Sequence, residues 1–247
     1  MTEISEKALV ISIVSHGHGK QVQQLLEQLA RESASYIARV VVTHNVPEAP
    51  LSMDGVGWPF RLEVLRNTVP LGFGANHNKA LQSVQEKFVC VLNPDVQLLQ
   101  GQEPFAALLQ SAALPGVGCV YPEQVNEAGQ TQDSERQIPT PWALWQRRVL
   151  GRNEKRTDWV NGACMVLPSF AWKKLGGFDE GYFMYCEDVD LCLRLRLQGY
   201  KLTKADSRVV HAGQRDSRRR LRHLIWHLHS LWRLWTGAPY RKIRRMQ

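Results

Sequence analysis

Residues 88–95 read Phe88-Val89-Cys90-Val91-Leu92-Asn93-Pro94-Asp95. Five apolar residues are too few for a helix and rich in Val and Phe, so they read as a buried strand. Pro94 cannot donate to a central ladder, so the strand stops there. Asn93 and Asp95 therefore stand at the carboxyl end of an interior strand, the edge at which open α/β sheets bind ligands. Their oxygens suit Mg²⁺ or Mn²⁺ that also holds phosphates. A strand followed by a plain turn accounts for the same residues, because Asn, Pro and Asp all favour turns. The neighbouring stretches decide between the two.

Upstream, LVISIVS (9–15) reads as a first buried strand, ending at Ser15-His16-Gly17-His18-Gly19. Residues 20–32 place Val22, Leu25, Leu26 and Leu29 on one helical face. A second strand over 39–45 ends in His44-Asn45, and a third spans 61–67. The run Leu71-Gly72-Phe73-Gly74 leads into a helix through about residue 86. The order β-α-β-β-α-β implies an α/β fold with a mostly parallel sheet. Downstream the reading gives a helix over 102–113 and a strand over 117–121. A long polar tract over 122–157 follows, the kind of segment that lies beside a site. Next come a strand over 159–167, a short helix ending near Gly176-Gly177, a helix over 187–198 and a last strand ending at His211.

The chain has 247 residues and a formal charge of +8, unevenly spread. Residues 201–247 carry thirteen Lys/Arg against two Asp; the first 200 carry eighteen against twenty-one. A mildly acidic body with a basic tail points to an anionic partner for the tail. Nothing resembles a nucleic-acid recognition module, so an anionic membrane surface is the expected partner and nucleic acid is not. No apolar run reaches the length needed to span a bilayer, and the N-terminus lacks the order of a signal peptide. The five cysteines lack metal-site spacing and read as reduced thiols of a cytoplasmic protein.

Glu187-Asp188-Val189-Asp190 gathers three acids at a helix start, where the helix dipole stabilises them. Glu187 and Asp190 are also placed to pair with Arg194. The preceding segment, Phe178 to Cys186, is aromatic enough to wall off water and to give a carboxylate a pKa suited to general-base work. Asp188 and Asp190, two apart, cannot share a helix face, so one can meet substrate while the other anchors the helix. His211 ends a strand and is a candidate metal ligand or phosphate contact. Gly72 and Gly74 allow close backbone approach to a phosphate or sugar but form no dinucleotide fingerprint.

Together these stretches resemble the inverting GT-A glycosyltransferases of family 2, in particular the rhamnosyltransferase-like branch. The matching residues are LVISIVSHG, VVVTHN, NTVPLGFGANHNKAL, VCVLNPD, the run from Trp159 to Tyr200, and HAG, in family order over roughly residues 8–213. The resemblance implies a Rossmann-like nucleotide-diphospho-sugar transferase fold over 1–213, with a basic amphipathic helical tail over 214–247. It implies a nucleotide-diphosphate sugar donor, a glycan or lipid-linked acceptor of the cell envelope, and Mg²⁺ or Mn²⁺ bridging the donor phosphates. Asp95 matches the metal ligand and His211 the late histidine near the diphosphate. Asp188 matches the general base, with Glu187 and Asp190 supporting it. Ser15, Asn45, Gly72, Asn78, Asn93 and Gly162 fall in the donor pocket. The family commonly has an acid where this chain has His44, and Asn93 likewise stands in place of an acid. A nucleotidyltransferase or a non-catalytic nucleotide-sugar-binding protein are the alternatives, and neither accounts for Asp188.

In the tail, Leu221, Leu224, Ile225, Leu228, Leu231, Trp232 and Trp235 form one apolar stripe at helical spacing, with Trp226 and Leu234 outside it. Arg218, Arg219, Arg222 and Arg233 lie off the stripe, and Arg241, Lys242, Arg244 and Arg245 extend the charge. Such a helix either packs its stripe on the domain or lies in a membrane interface. The second case makes the protein peripheral on the inner face of the plasma membrane.

Overall fold

The computed structural model describes residues 7–52, 57–143, 145, 156–212 and 221–246. The strands, numbered along the chain, are β1 (Leu9–Ser15), β2 (Ile37–His44), β3 (Arg61–Arg66), β4 (Phe88–Leu92), β5 (Val96–Gln97), β6 (Val117–Val125), β7 (Glu135–Arg136), β8 (Trp159–Val160), β9 (Cys164–Pro168) and β10 (Lys201–His211). The helices are α1 (Gly19–Glu32), α2 (Phe73–Ala80), α3 (Phe105–Ala112), α4 (Ser169–Leu175), α5 (Glu187–Leu197), α6 (Leu221–Thr236) and α7 (Ala238–Arg245).

Eight strands form one sheet in the order β3-β2-β1-β4-β9-β6-β10-β5. β1 pairs in parallel with both β2 and β4, whereas β9 runs antiparallel to both β4 and β6. The chain leaves β1 on one side to make β2 and β3, then returns on the other side to make β4. The crevice between the carboxyl ends of β1 and β4 is therefore a topological switch point. β4 is buried on both faces, as its continuous apolar run requires. Phe88, Cys90 and Leu92 enter the layer shared with α1 and α3, and Val89 and Val91 enter the layer shared with α2, α4, α5 and α7. α1 contributes Val22, Leu25, Leu26 and Leu29 to its layer, each fully or almost fully buried. Each such side chain stabilises the fold by roughly 1.5–3 kcal/mol.

Three local expectations change. The helix expected to reach about residue 86 ends at Ala80, where a turn closed by Val84 N–H to the Leu81 carbonyl (3.2 Å) sends Leu81 and Val84 back onto the sheet. The strand expected over 159–167 is two strands. β8 pairs with β7 in a separate ribbon and β9 joins the main sheet, with the corner at Asn161-Gly162-Ala163. β6 continues through Pro122 to Val125; Pro122 falls at a register shift against β10, where its missing donor costs no ladder bond. The polar tract of 122–157 contains β7, and its residues 144 and 146–155 lie outside the described set, as do Gly213, Arg218 and Arg219.

For the tail, the sequence left two packings open. α6 buries Ser230, Leu231 and Leu234, and leaves Leu221, Leu224, Ile225, Leu228 and Trp232 exposed. Most of the apolar stripe faces away from the body. The contacts to the body come from the stripe's Leu231 and Trp235 together with off-stripe residues: Leu234 is buried, and Trp226 lies against Phe183 with ring centroids 4.8 Å apart. α7 buries Tyr240 and Ile243 in the layer that holds α5. No helix among the described residues is long and apolar enough to cross a membrane.

Candidate active site

The chain turns sharply after β4. Val96 donates its N–H to the Asn93 carbonyl (3.2 Å) across Pro94 and Asp95, and β5 then pairs antiparallel with the end of β10, Val96 opposite His211. Ala212 N–H donates to the Asp95 carbonyl at 3.1 Å. This pairing sets Oδ2 of Asp95 3.4 Å from Nε2 of His211. Gln132 fixes the ring from behind. Its amide nitrogen donates to the His211 carbonyl (2.7 Å), so its amide oxygen is the atom 3.1 Å from Nδ1. Nδ1 is then the donor to Gln132, and Nε2 is the ring atom turned toward the Asp95 carboxylate. A carboxylate oxygen and an imidazole nitrogen so placed are the atoms that would share a cation. Among the described residues no three His, Cys, Asp or Glu side chains form a closed cage. Two protein ligands with open positions suit Mg²⁺ or Mn²⁺ shared with substrate phosphates, since Mg²⁺ usually keeps waters and few carboxylates.

The other acids lie at the start of α5. Tyr185 and Cys186 enter it at φ 72° and 64°, two consecutive non-glycine residues in the left-handed region, a strained turn of the kind that clusters at functional sites. Asp188 is partly exposed. Its Oδ2 accepts the Gly162 N–H at 3.2 Å and its Oδ1 the Val189 N–H at 2.8 Å. Burial raises its pKa, and those hydrogen bonds and the Arg136 charge oppose the rise. Glu187 is buried, and burial followed by the Asp188 charge pushes it well above the usual carboxylate range. Glu187 is therefore the member of the pair that retains its proton. Its expected pairing with Arg194 is not made. Arg194 bonds Asp190 (2.6 Å) and the carbonyls of Leu175 (3.0 Å) and Gly177 (2.8 Å), which pins α5 to the turn after α4. Asp190 is the anchor, and Asp188, about 200° from it around the helix, is left to the cleft.

Several donor-pocket candidates are engaged by the protein itself. A Cβ on Gly72 would lie 2.7 Å from the Phe183 carbonyl oxygen, and one on Gly74 2.7 Å from the Phe178 Cβ. On the Cβ side these glycines closely approach the 178–186 segment. Asn78 staples that segment, accepting the Phe178 N–H (2.9 Å) and donating to the Phe178 carbonyl (2.9 Å) and to Glu180 (2.9 Å). Asn45 holds the loop before α2, donating to the Leu71 carbonyl (2.9 Å) and accepting from Leu71 N–H (2.8 Å) and Asn67 (2.9 Å). Ser15 donates to Glu48 at 2.7 Å, and Glu48 also accepts the Gly17 N–H at 3.0 Å. His44 is buried beneath this loop, and burial lowers its pKa.

Glu48, Gln132 and the Gln124–Asn161 pair went unread in the sequence. Glu48 had a usable signal, a lone acid four residues past a strand's carboxyl end. The amides had none. Gln124 and Asn161 exchange two side-chain bonds, 2.6 and 2.9 Å, tying β6 to the corner between β8 and β9. That corner touches both ends of the site: Gly162 N–H bonds Asp188, and the Ala163 carbonyl accepts the Asn93 N–H at 2.8 Å.

The model of the glycosyltransferase-like family 2 matches residues 8–227. The rhamnosyltransferase WbbL of Escherichia coli K12 is 30% identical over 246 residues, 90% of each chain. The N-acetylglucosaminyl-diphospho-decaprenol L-rhamnosyltransferase of Mycobacterium tuberculosis is 26% identical over 276 residues, covering 94% of this chain and 88% of that one. Among solved structures, the mannosyltransferase PcManGT of Pyrobaculum calidifontis, in complex with GDP-Man and Mn²⁺, superposes with a TM-score of 0.64 at 18% identity, over 98% of this chain and 68% of that one. With a parallel sheet switching direction beside β4 and acids at its carboxyl edge, the chain belongs to glycosyltransferase-like family 2 and is a glycosyltransferase.

Proposed function

We propose that the protein transfers a sugar, a deoxyhexose such as rhamnose, with inversion, from a nucleotide-diphosphate donor to a hydroxyl of a lipid-linked or cell-envelope glycan acceptor. The observation that carries this reading is the Asn161–Ala163 corner, which holds a partly exposed carboxylate at one side and the Asp95 turn at the other. Inverting transfer needs this division: a base for the incoming hydroxyl on one face of the sugar, and charge neutralisation of the leaving diphosphate on the other. Asp188 accepts the acceptor's proton as its oxygen attacks the anomeric carbon, and the donor's bond to diphosphate breaks. Asp95 and His211 Nε2 would hold Mg²⁺ or Mn²⁺, which when bound supplies Lewis-acid stabilisation of the leaving diphosphate. Gly162 keeps Asp188 oriented. Ser15, with Glu48, shapes the loop above β1, and Asn45, Asn78 and Gly72 position the donor pocket by fixing its walls. Asn93 faces the same edge.

The relatives' names support the sugar and the acceptor class, since one of them is named for rhamnose transfer to a diphospho-decaprenol-linked sugar. The reading places the enzyme on the cytoplasmic face of the plasma membrane. It is tested by incubating the purified protein with a panel of nucleotide-diphosphate sugars and a polyprenyl-diphosphate-linked N-acetylglucosamine. Transfer from one donor, with anomeric inversion by NMR and dependence on added Mn²⁺ or Mg²⁺, is expected. Nucleotide transfer to a sugar phosphate, or retention of configuration, would overturn it.

A further inference from the structure

α6 has two apolar faces with different occupants. The inner face grips the segment that leads into Asp188. Ser230 donates to the Met184 carbonyl (2.8 Å), His223 Nδ1 lies 2.8 Å from the Tyr185 hydroxyl, Trp226 packs on Phe183, and Arg233 bonds both oxygens of Asp179 at 2.9 Å. The outer face carries Leu221, Leu224, Ile225, Leu228 and Trp232, spaced to form one stripe and each 51–81% exposed. Contiguous exposure of this kind marks an interaction surface.

Charge identifies the occupant. Residues 221–247 contain no acid. Arg222 stands beside the stripe, and Arg241, Lys242, Arg244 and Arg245 of α7 are all exposed. A second copy brought face to face would set cations against cations, whereas an anionic bilayer takes both the apolar stripe and the arginines. Aromatic residues flank the same helix. Trp235 donates to the Pro139 carbonyl at 2.6 Å, and just beyond Pro139 the exposed rings of Trp142 and Trp145 stack with centroids 4.9 Å apart. Tryptophan is enriched at the level of lipid headgroups.

We infer that the outer stripe of α6 inserts into the interface of an anionic bilayer while the inner face holds the 178–186 segment, so that docking sets the Asp188 end of the cleft at the membrane surface. The inference rests on the membrane-side acceptor proposed above, and it names the lipid-contacting face.

The full chain is sedimented with vesicles of phosphatidylglycerol and phosphatidylethanolamine, and separately with phosphatidylcholine vesicles. Binding to the first, released by salt, is expected. Changing Leu224, Ile225, Leu228 and Trp232 to Gln should weaken partition on the order of a hundredfold, as these side chains no longer leave water, with an unchanged melting temperature. Changing Arg222, Arg241 and Arg244 to Gln should weaken it on the order of a hundredfold through lost lipid charge contacts. Undiminished binding by the stripe variant overturns the inference. So does a wild-type dimer by light scattering that the stripe variant dissolves, with no binding to anionic vesicles. Sugar transfer plays no part in these readouts, so failure of the proposed reaction would leave them standing.

Discussion

The backbone N–H of Gly162 points at Oδ2 of Asp188 from 3.2 Å. With Val189 on Oδ1, each carboxylate oxygen is oriented by one N–H and keeps a second lone pair for an incoming hydroxyl. Orientation comes from main chain, so it survives changes to neighbouring side chains.

Asp188→Asn should lower transfer by roughly 10²–10⁴-fold, the usual worth of a general base, while nucleotide binding persists. It should also change the pH dependence of stability. A folded pKa raised by burial means that the wild type is relatively most stable below the unfolded pKa and loses that stability as pH rises through the folded value. Asparagine has no such loss. The melting temperature of the variant relative to wild type should therefore rise as pH increases from the ordinary carboxylate range upward, followed by calorimetry.

Glu187→Gln should leave transfer at neutral pH close to wild type, because Gln copies the protonated form that burial and Asp188 impose on Glu187. In the wild type, ionisation of Glu187 at higher pH sets a second negative charge beside Asp188. The alkaline part of the rate profile should accordingly flatten in the variant. A profile identical to wild type at every pH would count against a protonated Glu187.

Gln132→Ala removes the group that sets the His211 ring, without removing a proposed ligand. Loss of such an orienting partner commonly costs 10–100-fold in metal affinity. Mn²⁺ binding followed by electron paramagnetic resonance of the free ion should weaken by about that factor, with the melting temperature little changed. Equal Mn²⁺ affinity would show that His211 needs no support from behind.

Arg194→Leu strands Asp190, whose side chain is 5% exposed, and frees the carbonyls of Leu175 and Gly177. Breaking a buried pair by removing one partner costs about 3–5 kcal/mol. Urea unfolding should report a loss of that size. Asp190→Asn, which keeps a bond to Arg194 without the buried charge, should lose less.

Gly72→Ala should destabilise the protein by about 1–3 kcal/mol, the usual cost of overpacking, because the new methyl meets the Phe183 backbone. If the melting temperature holds and only nucleotide affinity falls, the glycine serves the donor and not the wall.

The sequence by itself determined the strands and the edge at which chemistry is gathered. β1, β2 and β4 were legible because a short apolar run and a terminating Pro or polar cluster are local signals, and Asn93-Pro94-Asp95 could only fall at a strand end. The roles of Asp188 and Asp190 were separable from their spacing alone, since residues two apart diverge on a helix. Tertiary structure decided what those residues meet. Residues 159–167 read as one strand because all of them but Asn161 are apolar or small; the break at Gly162 exists because its two halves serve different sheets and its N–H serves Asp188. The pairing of Asp95 with His211, 116 residues further along the chain, depends on the pairing of β5 with β10, a relation no local pattern encodes. Which face of α6 packs on the body was left open for the same reason. Periodicity identifies an apolar stripe, but the 178–186 segment presents Phe183, Tyr185 and the Met184 carbonyl, and these select Trp226, His223 and Ser230 as the packed side. The stripe is left for whatever lies outside the protein.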